Sequence, residues 1–220
     1  LTILSKGIPA ILHGTEWLEN DGWEENKIDW SHRTVYDGVF RMYQDAIALR
    51  TGEPALRANE NAWVYHQNNN ADVIAMERWQ NDGESFVIVS NFSNDDYGDY
   101  RIGLPRAGEW GVVFNSQSGV YDGSGYGTSG TFDAEAIASG PHAQSVSLQI
   151  PAMGMLILQH QPGGVCAVDY NGDGELNFFD VSEFLVAYTG GDLSVDFDGS
   201  GTLDFFDVST FLVAFNAGCP

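Results

Sequence analysis

Three kinds of hydrophobic pattern follow one another along the chain. Ile8, Ala10, Ile11 and Leu12 form a short apolar run closed by His13-Gly14, which suits a strand buried on both faces, as in a parallel sheet. A loop rich in Trp and acid follows, with Trp17, Trp23, Trp30, Glu24 and Glu25. From Val35 the apolar residues fall at Val35, Val39, Met42, Ala46 and Leu49, flanked by Tyr36, Phe40, Tyr43 and Ile47, the wide stripe of an amphipathic helix. One strand, one loop and one helix make a single βα unit. Such a unit cannot bury its own sheet edges, so residues 1–50 read as a piece of a larger α/β domain.

Residues 51–161 change to period two. Alternating or β-branched segments at 62–66, 73–79, 85–92, 100–104, 110–115, 145–150 and 154–160 are separated by Asn, Asp, Gly and Pro turns, the pattern of an antiparallel β-sandwich. The Gly/Ser-rich stretch between Ser116 and Gly140 reads as a long loop, because two strands follow it. Gln161-Pro162-Gly163-Gly164 reads as the linker.

Residues 165–220 contain an internal repeat. Asp169-Tyr170-Asn171-Gly172-Asp173-Gly174-Glu175-Leu176-Asn177-Phe178-Phe179-Asp180 returns as Asp196-Phe197-Asp198-Gly199-Ser200-Gly201-Thr202-Leu203-Asp204-Phe205-Phe206-Asp207. Each copy leads into helical spacing, Val181, Phe184, Leu185, Tyr188 and Val208, Phe211, Leu212, Phe215.

Charge sharpens this division. Against nine Lys and Arg stand 31 Asp and Glu, a formal net charge of −22, so a polyphosphate or an anionic membrane surface would be repelled. No run of about 20 apolar residues offers a membrane span. From Ala107 onward there is no Lys or Arg, while ten carboxylates lie between 165 and 220. Such a unit repels itself unless it binds something positive, and a metal is the obvious candidate.

The repeat has the chemistry for calcium. A hard cation takes six to eight oxygens, and a twelve-residue loop supplies them from positions 1, 3, 5, 7, 9 and 12, with Gly at 6 for the sharp turn. The first copy offers Asp169, Asn171, Asp173, the Glu175 carbonyl, Asn177 and Asp180; the second offers Asp196, Asp198, Ser200, the Thr202 carbonyl, Asp204 and Asp207. Two ions are expected, with Leu176 and Leu203 at position 8 packing the loops together. Asp at position 12, in place of the usual Glu, shortens the reach.

Paired loops with Asp at position 12, each followed by a helix, resemble a type I dockerin. The resemblance implies a cohesin-like partner bound through loop positions 10 and 11, here Phe178, Phe179, Phe205 and Phe206. That family usually has small or polar residues there, and the other reading of the four Phe is the core of a small domain. Cys166 and Cys219 bracket the module. They read as a disulfide closing it, adding about 4 kcal/mol in the chain-entropy model and implying an extracellular, oxidising location; the other reading is two free thiols.

A second resemblance covers residues 1–160. Gly7-Ile8-Pro9-Ala10-Ile11-Leu12-His13-Gly14-Thr15-Glu16-Trp17, Lys27-Ile28-Asp29-Trp30, Tyr43-Gln44-Asp45-Ala46-Ile47-Ala48-Leu49-Arg50 and Pro54-Ala55-Leu56 resemble the end of the (β/α)8 catalytic barrel of glycoside hydrolase family 13. Val89-Ser90-Asn91-Phe92-Ser93, Tyr100-Arg101-Ile102-Gly103-Leu104-Pro105, Asn115-Ser116 and Ile150-Pro151-Ala152-Met153-Gly154 are similar to that family's C-terminal all-β domain, most closely in its 1,4-α-glucan branching enzymes. Gln117 and Asp122 depart from the usual Asp and Gly, and His13 and Thr15 from Met and Gln, so branching and α-amylase types both stand.

The expected architecture is thus multidomain: the last βα unit of a barrel (1–50), an antiparallel sandwich (51–161) and a dockerin-like calcium module (165–220). The resemblance implies an α-glucan substrate. The family's three catalytic carboxylates sit on barrel strands four, five and seven, so no catalytic residue is expected here and this part alone is expected to be inactive. The chain opens on Leu1, which reads as a broken edge, so the chain is expected to be the C-terminal part of a longer secreted enzyme, with any leader upstream. Glu16 and Asp29 read as structural carboxylates, and Trp17, Trp23 and Trp30 as barrel-top packing or sugar platforms. His32, His66, His142 and His160 lack metal spacing. The rival reading is a non-catalytic carbohydrate-binding or anchoring protein tethered through the calcium module.

Overall fold

The computed structural model describes residues 1–19, 28–57, 60–80, 85–161, 168–171 and 176–218. They fall into two compact units, Leu1–His160 and Gln161–Pro220.

The first unit is built on eight strands: β1 (Asn61–Asn68), β2 (Val73–Trp79), β3 (Ser85–Asn91), β4 (Tyr97–Leu104), β5 (Glu109–Asn115), β6 (Thr131–Asp133), β7 (Gln144–Ile150) and β8 (Met155–His160). Six form an antiparallel sheet in the order β1-β2-β3-β8-β5-β6, and β4 pairs with β7 as a second sheet. Every residue of β3 is buried, and its alternation explains why. Val87 and Val89 enter a core with Val73, Ala75, Ile102, Leu104, Val146, Leu148 and Ile150, contributed by both sheets. Phe86 and Ile88 point the other way, into a second cluster with Met76, Phe114, Ile157 and Ala46.

Ala46 belongs to α2 (Asp37–Gly52), which follows the four-residue α1 (His32–Val35) and closes that outer face. Met42 and Leu49 pack against the same cluster, as the helical spacing predicts, whereas Val35 is exposed. Two buried arginines fasten the first residues to this layer. Arg50 donates to the carbonyls of Ile3, Ser5 and Gly7, and Arg78 to those of Leu4, Asn61 and Arg57. Burial lowers the Arg78 pKa, and the neighbouring Arg50 adds to that effect.

Two expectations fail here. Residues 8–12 form no strand: Ile8 is 92% exposed, and Ile11 and Leu12 are exposed with it. A strand exists only through its ladder, and among the described residues none pairs with this run. Strand β6 lies inside the Gly/Ser-rich stretch read as loop, pairing Thr131–Asp133 with β5. Three residues at a sheet edge are too few to show alternation.

The second unit has two helices, α3 (Phe178–Gly190) and α4 (Phe205–Ala217), with a single 3-10 turn at Leu193–Val195 between them. Its core is Val168, Phe184, Val195 and Phe211. Phe184 and Phe211 stack with centroids 3.9 Å apart and planes 9° from parallel. The inward stripes run Val181, Phe184, Ala187, Tyr188 and Val208, Phe211, Ala214, Phe215. Leu185 and Leu212, expected inside, are exposed because each lies one position beyond its buried Phe. Among the described residues no helix is long and apolar enough to cross a membrane.

Candidate functional site

The second copy of the repeat folds its side chains inward. Gly199 and Gly201 take left-handed φ values of 70° and 79°, which turn the chain back on itself. The turn directs backbone N–H groups at carboxylates. Ser200 donates to Asp196 Oδ1 (3.0 Å) and Asp198 Oδ1 (2.9 Å), and Gly201 donates to Asp196 Oδ2 (2.7 Å). The Ser200 hydroxyl donates to the Thr202 carbonyl at 3.0 Å.

Asp207 closes the loop from the first turn of α4. It is buried and accepts from the N–H groups of Asp204 (2.7 Å) and Asp198 (3.3 Å), while Asp204 caps the helix by accepting from Phe206 N–H (2.7 Å). The Asp204 N–H holds the Asp207 carboxyl below the usual carboxylate range; burial opposes this, and the Asp198 and Phe197 N–H groups reinforce it.

The outcome is a cluster. Oxygens of Asp196, Asp198 and Asp207 lie within 4.8 Å of one another. Three carboxylates that close would repel one another when charged, and a divalent cation between them would relieve the repulsion. The donors are oxygen throughout, which suits a hard ion such as calcium rather than zinc.

The first copy repeats this frame where it is described. Asp180 is buried and accepts from the N–H groups of Tyr170 (2.9 Å), Asn171 (3.3 Å) and Asn177 (2.8 Å); Asn177 accepts from Phe179 N–H (2.8 Å). Burial pushes the Asp180 carboxyl up, but these donors together bring it below its ordinary value. Asp173 and Glu175 lie outside the described residues, as do Cys166, Cys219 and Trp23. Leu176 and Leu203 pack against the aromatic core.

Phe178, Phe179, Phe205 and Phe206 are on the surface, 64 to 76% exposed. Each pair sits edge to face, with centroids 6.3 Å apart. The reading of these four as core is therefore overturned. They occupy the first turn, ahead of the stripe that faces inward.

In the first unit, Trp17 is buried against Phe40 and against an exposed Trp30, centroids 6.0 Å and 5.0 Å away. Asp29 accepts from Ser31 N–H (2.9 Å), and the Ser31 side chain together with that N–H holds it low. Glu16 Oε2 is buried with no hydrogen-bond partner among the described residues. A cavity of about 810 Å³ lies between residues 1–18, α2 and the ends of β3 and β5. Nothing in the sequence pattern singles out Arg50 or Arg78, since their partners are carbonyls that every residue carries.

Residues 63–161 match the family described as "Alpha amylase, C-terminal all-beta domain". The antiparallel sandwich agrees with that match, which ends at the junction between the two units. Among curated proteins, the "1,4-alpha-glucan branching enzyme GlgB" of Pseudomonas fluorescens (strain Pf0-1) is 32% identical over 161 residues, covering 70% of this chain and 22% of that protein. The "1,4-alpha-glucan branching enzyme GlgB 1" of Xanthomonas euvesicatoria pv. vesicatoria (strain 85-10) is 35% identical over 151 residues, 66% of this chain and 20% of that protein. The chain thus spans about a fifth of the length of the curated relatives it matches. A solved structure titled "Crystal structure of alpha-amylase from H.orenii" aligns over 63% of this chain and 24% of that one, at 13% identity and a TM-score of 0.39.

Proposed function

We propose that Leu1–His160 is the C-terminal part of a secreted, α-glucan-active enzyme of glycoside hydrolase family 13, of branching or amylase type. The observation that carries this reading is the antiparallel sandwich of β1 to β8 coinciding with the alpha-amylase C-terminal match over residues 63–161. The parent would break an α-1,4 bond and pass the glucan to a hydroxyl or to water. The test is to incubate the full gene product with amylose and follow both iodine staining and new reducing ends. Loss of stain without reducing ends marks branching, and the two together mark hydrolysis. No change in either overturns the reading.

The second unit, in the same proposal, binds two calcium ions and docks a cohesin-like protein through Phe178, Phe179, Phe205 and Phe206. The convergence of Asp196, Asp198 and Asp207 supports the ion, and the exposure of all four Phe supports the docking face. Bound calcium would neutralise the carboxylates and fix the loops from which the two helices start. Titration calorimetry with calcium should give two sites in the wild type and none in the Asp169→Ala, Asp196→Ala double variant. An ion-independent circular dichroism spectrum would count against it.

A further inference from the structure

We propose that His66, Asn68 and Tyr100 form an acid-released latch that holds the end of β1 against the second sheet. Strand β1 is the edge of the six-stranded sheet, and among the described residues β2 is its only ladder partner. Its other attachments are side chains that cross to β4, a strand of the other sheet. Tyr65 donates to the Gly103 carbonyl at 2.7 Å. The Tyr100 hydroxyl lies 2.9 Å from both His66 Nε2 and Asn68 Nδ2. Tyr97 donates at 3.0 Å to the carbonyl of Ala71, in the turn after β1. The register shifts between Val64 and His66, a bulge at which the strand can bend.

The hydrogens of this cluster can be placed one after another. Asn68 Oδ1 accepts from the N–H groups of Asn70 (3.1 Å) and Ala71 (3.2 Å), so the opposite end of that amide, Nδ2, is the end that donates to the Tyr100 oxygen. The Tyr100 hydrogen is then left for His66, whose Nε2 receives it as a bare nitrogen. That requires a neutral imidazole with its hydrogen on Nδ1. A proton on Nε2 reverses the bond: two N–H donors then aim at one phenolic oxygen, whose own hydrogen has to swing away from both.

Among the described residues no charge offsets a proton on His66. From β4 it faces Tyr100, edge-on with centroids 5.7 Å apart, and the Tyr97 ring lies 5.3 Å behind that one. Opposite it in the β1/β2 register is Ala75. The charged neighbours of Tyr100 along β4 are engaged elsewhere, Asp99 with the Ser147 hydroxyl and Arg101 with Glu135 and Ser145. Burial lowers the His66 pKa, and no other group contributes. The unfolded chain therefore takes up this proton more readily than the folded one. The latch contributes in full above the ordinary histidine value of about 6.5 and is lost as pH falls through the lower folded value. Tyr65 and Tyr97 keep their bonds, because each gives its hydrogen to a carbonyl that does not titrate. Acid thus frees residues 66–70 between two fixed points.

The experiment is nuclear magnetic resonance of the chain between about pH 7.5 and about pH 5, on the wild type, His66→Gln and Tyr100→Phe. The His66 imidazole should titrate below about 6.5 in the wild type and closer to that value in Tyr100→Phe, which keeps the ring and loses the hydroxyl. Amide exchange of Asn70 and Ala71, corrected for the intrinsic rate, should rise about five- to tenfold on acidification, while that of residues 62–64 and of β3 should not. In His66→Gln, whose side-chain carbonyl accepts from Tyr100 at either pH, the rise should vanish. In Tyr100→Phe the faster exchange should be present at both ends of the range. An equal rise in β3 overturns the latch in favour of general acid unfolding of the sandwich, to which the buried His142 and His160 also contribute. A rise that persists in His66→Gln, or the same His66 midpoint in the wild type and Tyr100→Phe, overturns it as well.

Discussion

The two units bury charge in opposite ways. In Leu1–His160 the buried charges are the guanidiniums of Arg50 and Arg78, which donate to backbone carbonyls. In Gln161–Pro220 they are the carboxylates of Asp180 and Asp207, which accept from backbone N–H groups. Each solution satisfies a charge with groups that every residue carries, so neither needs a partner side chain. The consequences differ because the cores differ. The first unit has two apolar clusters sharing one central sheet, whereas the second rests on four fully buried residues around one stacked Phe pair. A small core cannot offset ten uncompensated carboxylates as readily as a large one. The second unit should therefore depend on its solution conditions far more than the first.

The largest effect should come from breaking the smaller core. Phe211→Ala removes half of the stacked pair, and a buried Phe truncated to Ala costs about 3 to 5 kcal/mol. That is comparable to the whole stability of so small a unit. Calorimetric scans of the chain should show two transitions, with only that of the second unit lost in Phe211→Ala. Loss of both would mean that the units do not fold independently.

Arg78→Met tests the cationic solution. It leaves the carbonyls of Leu4, Asn61 and Arg57 without their donor and should lower the stability of the first unit by about 3 kcal/mol, read by urea denaturation. The second transition should not move. A shift below about 1 kcal/mol would show that water replaces the guanidinium freely.

Chelation tests the anionic solution. Calcium at about a hundredfold above its dissociation constant stabilises a single site by about 2.7 kcal/mol, so EGTA should lower the second transition by that order for each ion. The first transition should stay in place, and Asp196→Ala should remove about half of the difference, the share of the second ion. Equal melting with and without EGTA would remove calcium from the account.

What the sequence could and could not show follows the same division. Strand β2 was legible to the residue, because turn residues bound the short apolar run that opens it, while both of its faces are buried. The convergence of Asp196, Asp198 and Asp207 was legible too, since a twelve-residue loop fixes oxygen positions by spacing alone. The run 8–12 takes no strand form because no described residue pairs with it, and apolar composition shows what a strand would bury and not where its partner lies. The Arg50 and Arg78 clasps could not be read, as their acceptors are main-chain carbonyls brought together from across the fold. The exposure of Phe178, Phe179, Phe205 and Phe206 was undecidable because the first turn of a helix precedes its inward stripe. One residue of phase likewise decided the fate of Leu185 and Leu212.

The smallest effect separates what the ion contributes from what the backbone contributes. Asn177 caps α3 by accepting from Phe179 N–H, and the Asp180 carboxylate reaches back to the Asn177 N–H. This reciprocal pair uses only groups of the chain itself, so Asn177→Ala should cost about 1 kcal/mol even in EGTA, read as a lower melting temperature of the second unit. In calcium the same substitution also removes a ligand position, and the loss should grow. If the two losses are equal, Asn177 acts only as a cap and the first ion is held by the other oxygens. If the loss appears only with calcium, the cap forms only around the ion, and the carboxylates of this unit are positioned by the metal instead of by the N–H groups that surround them.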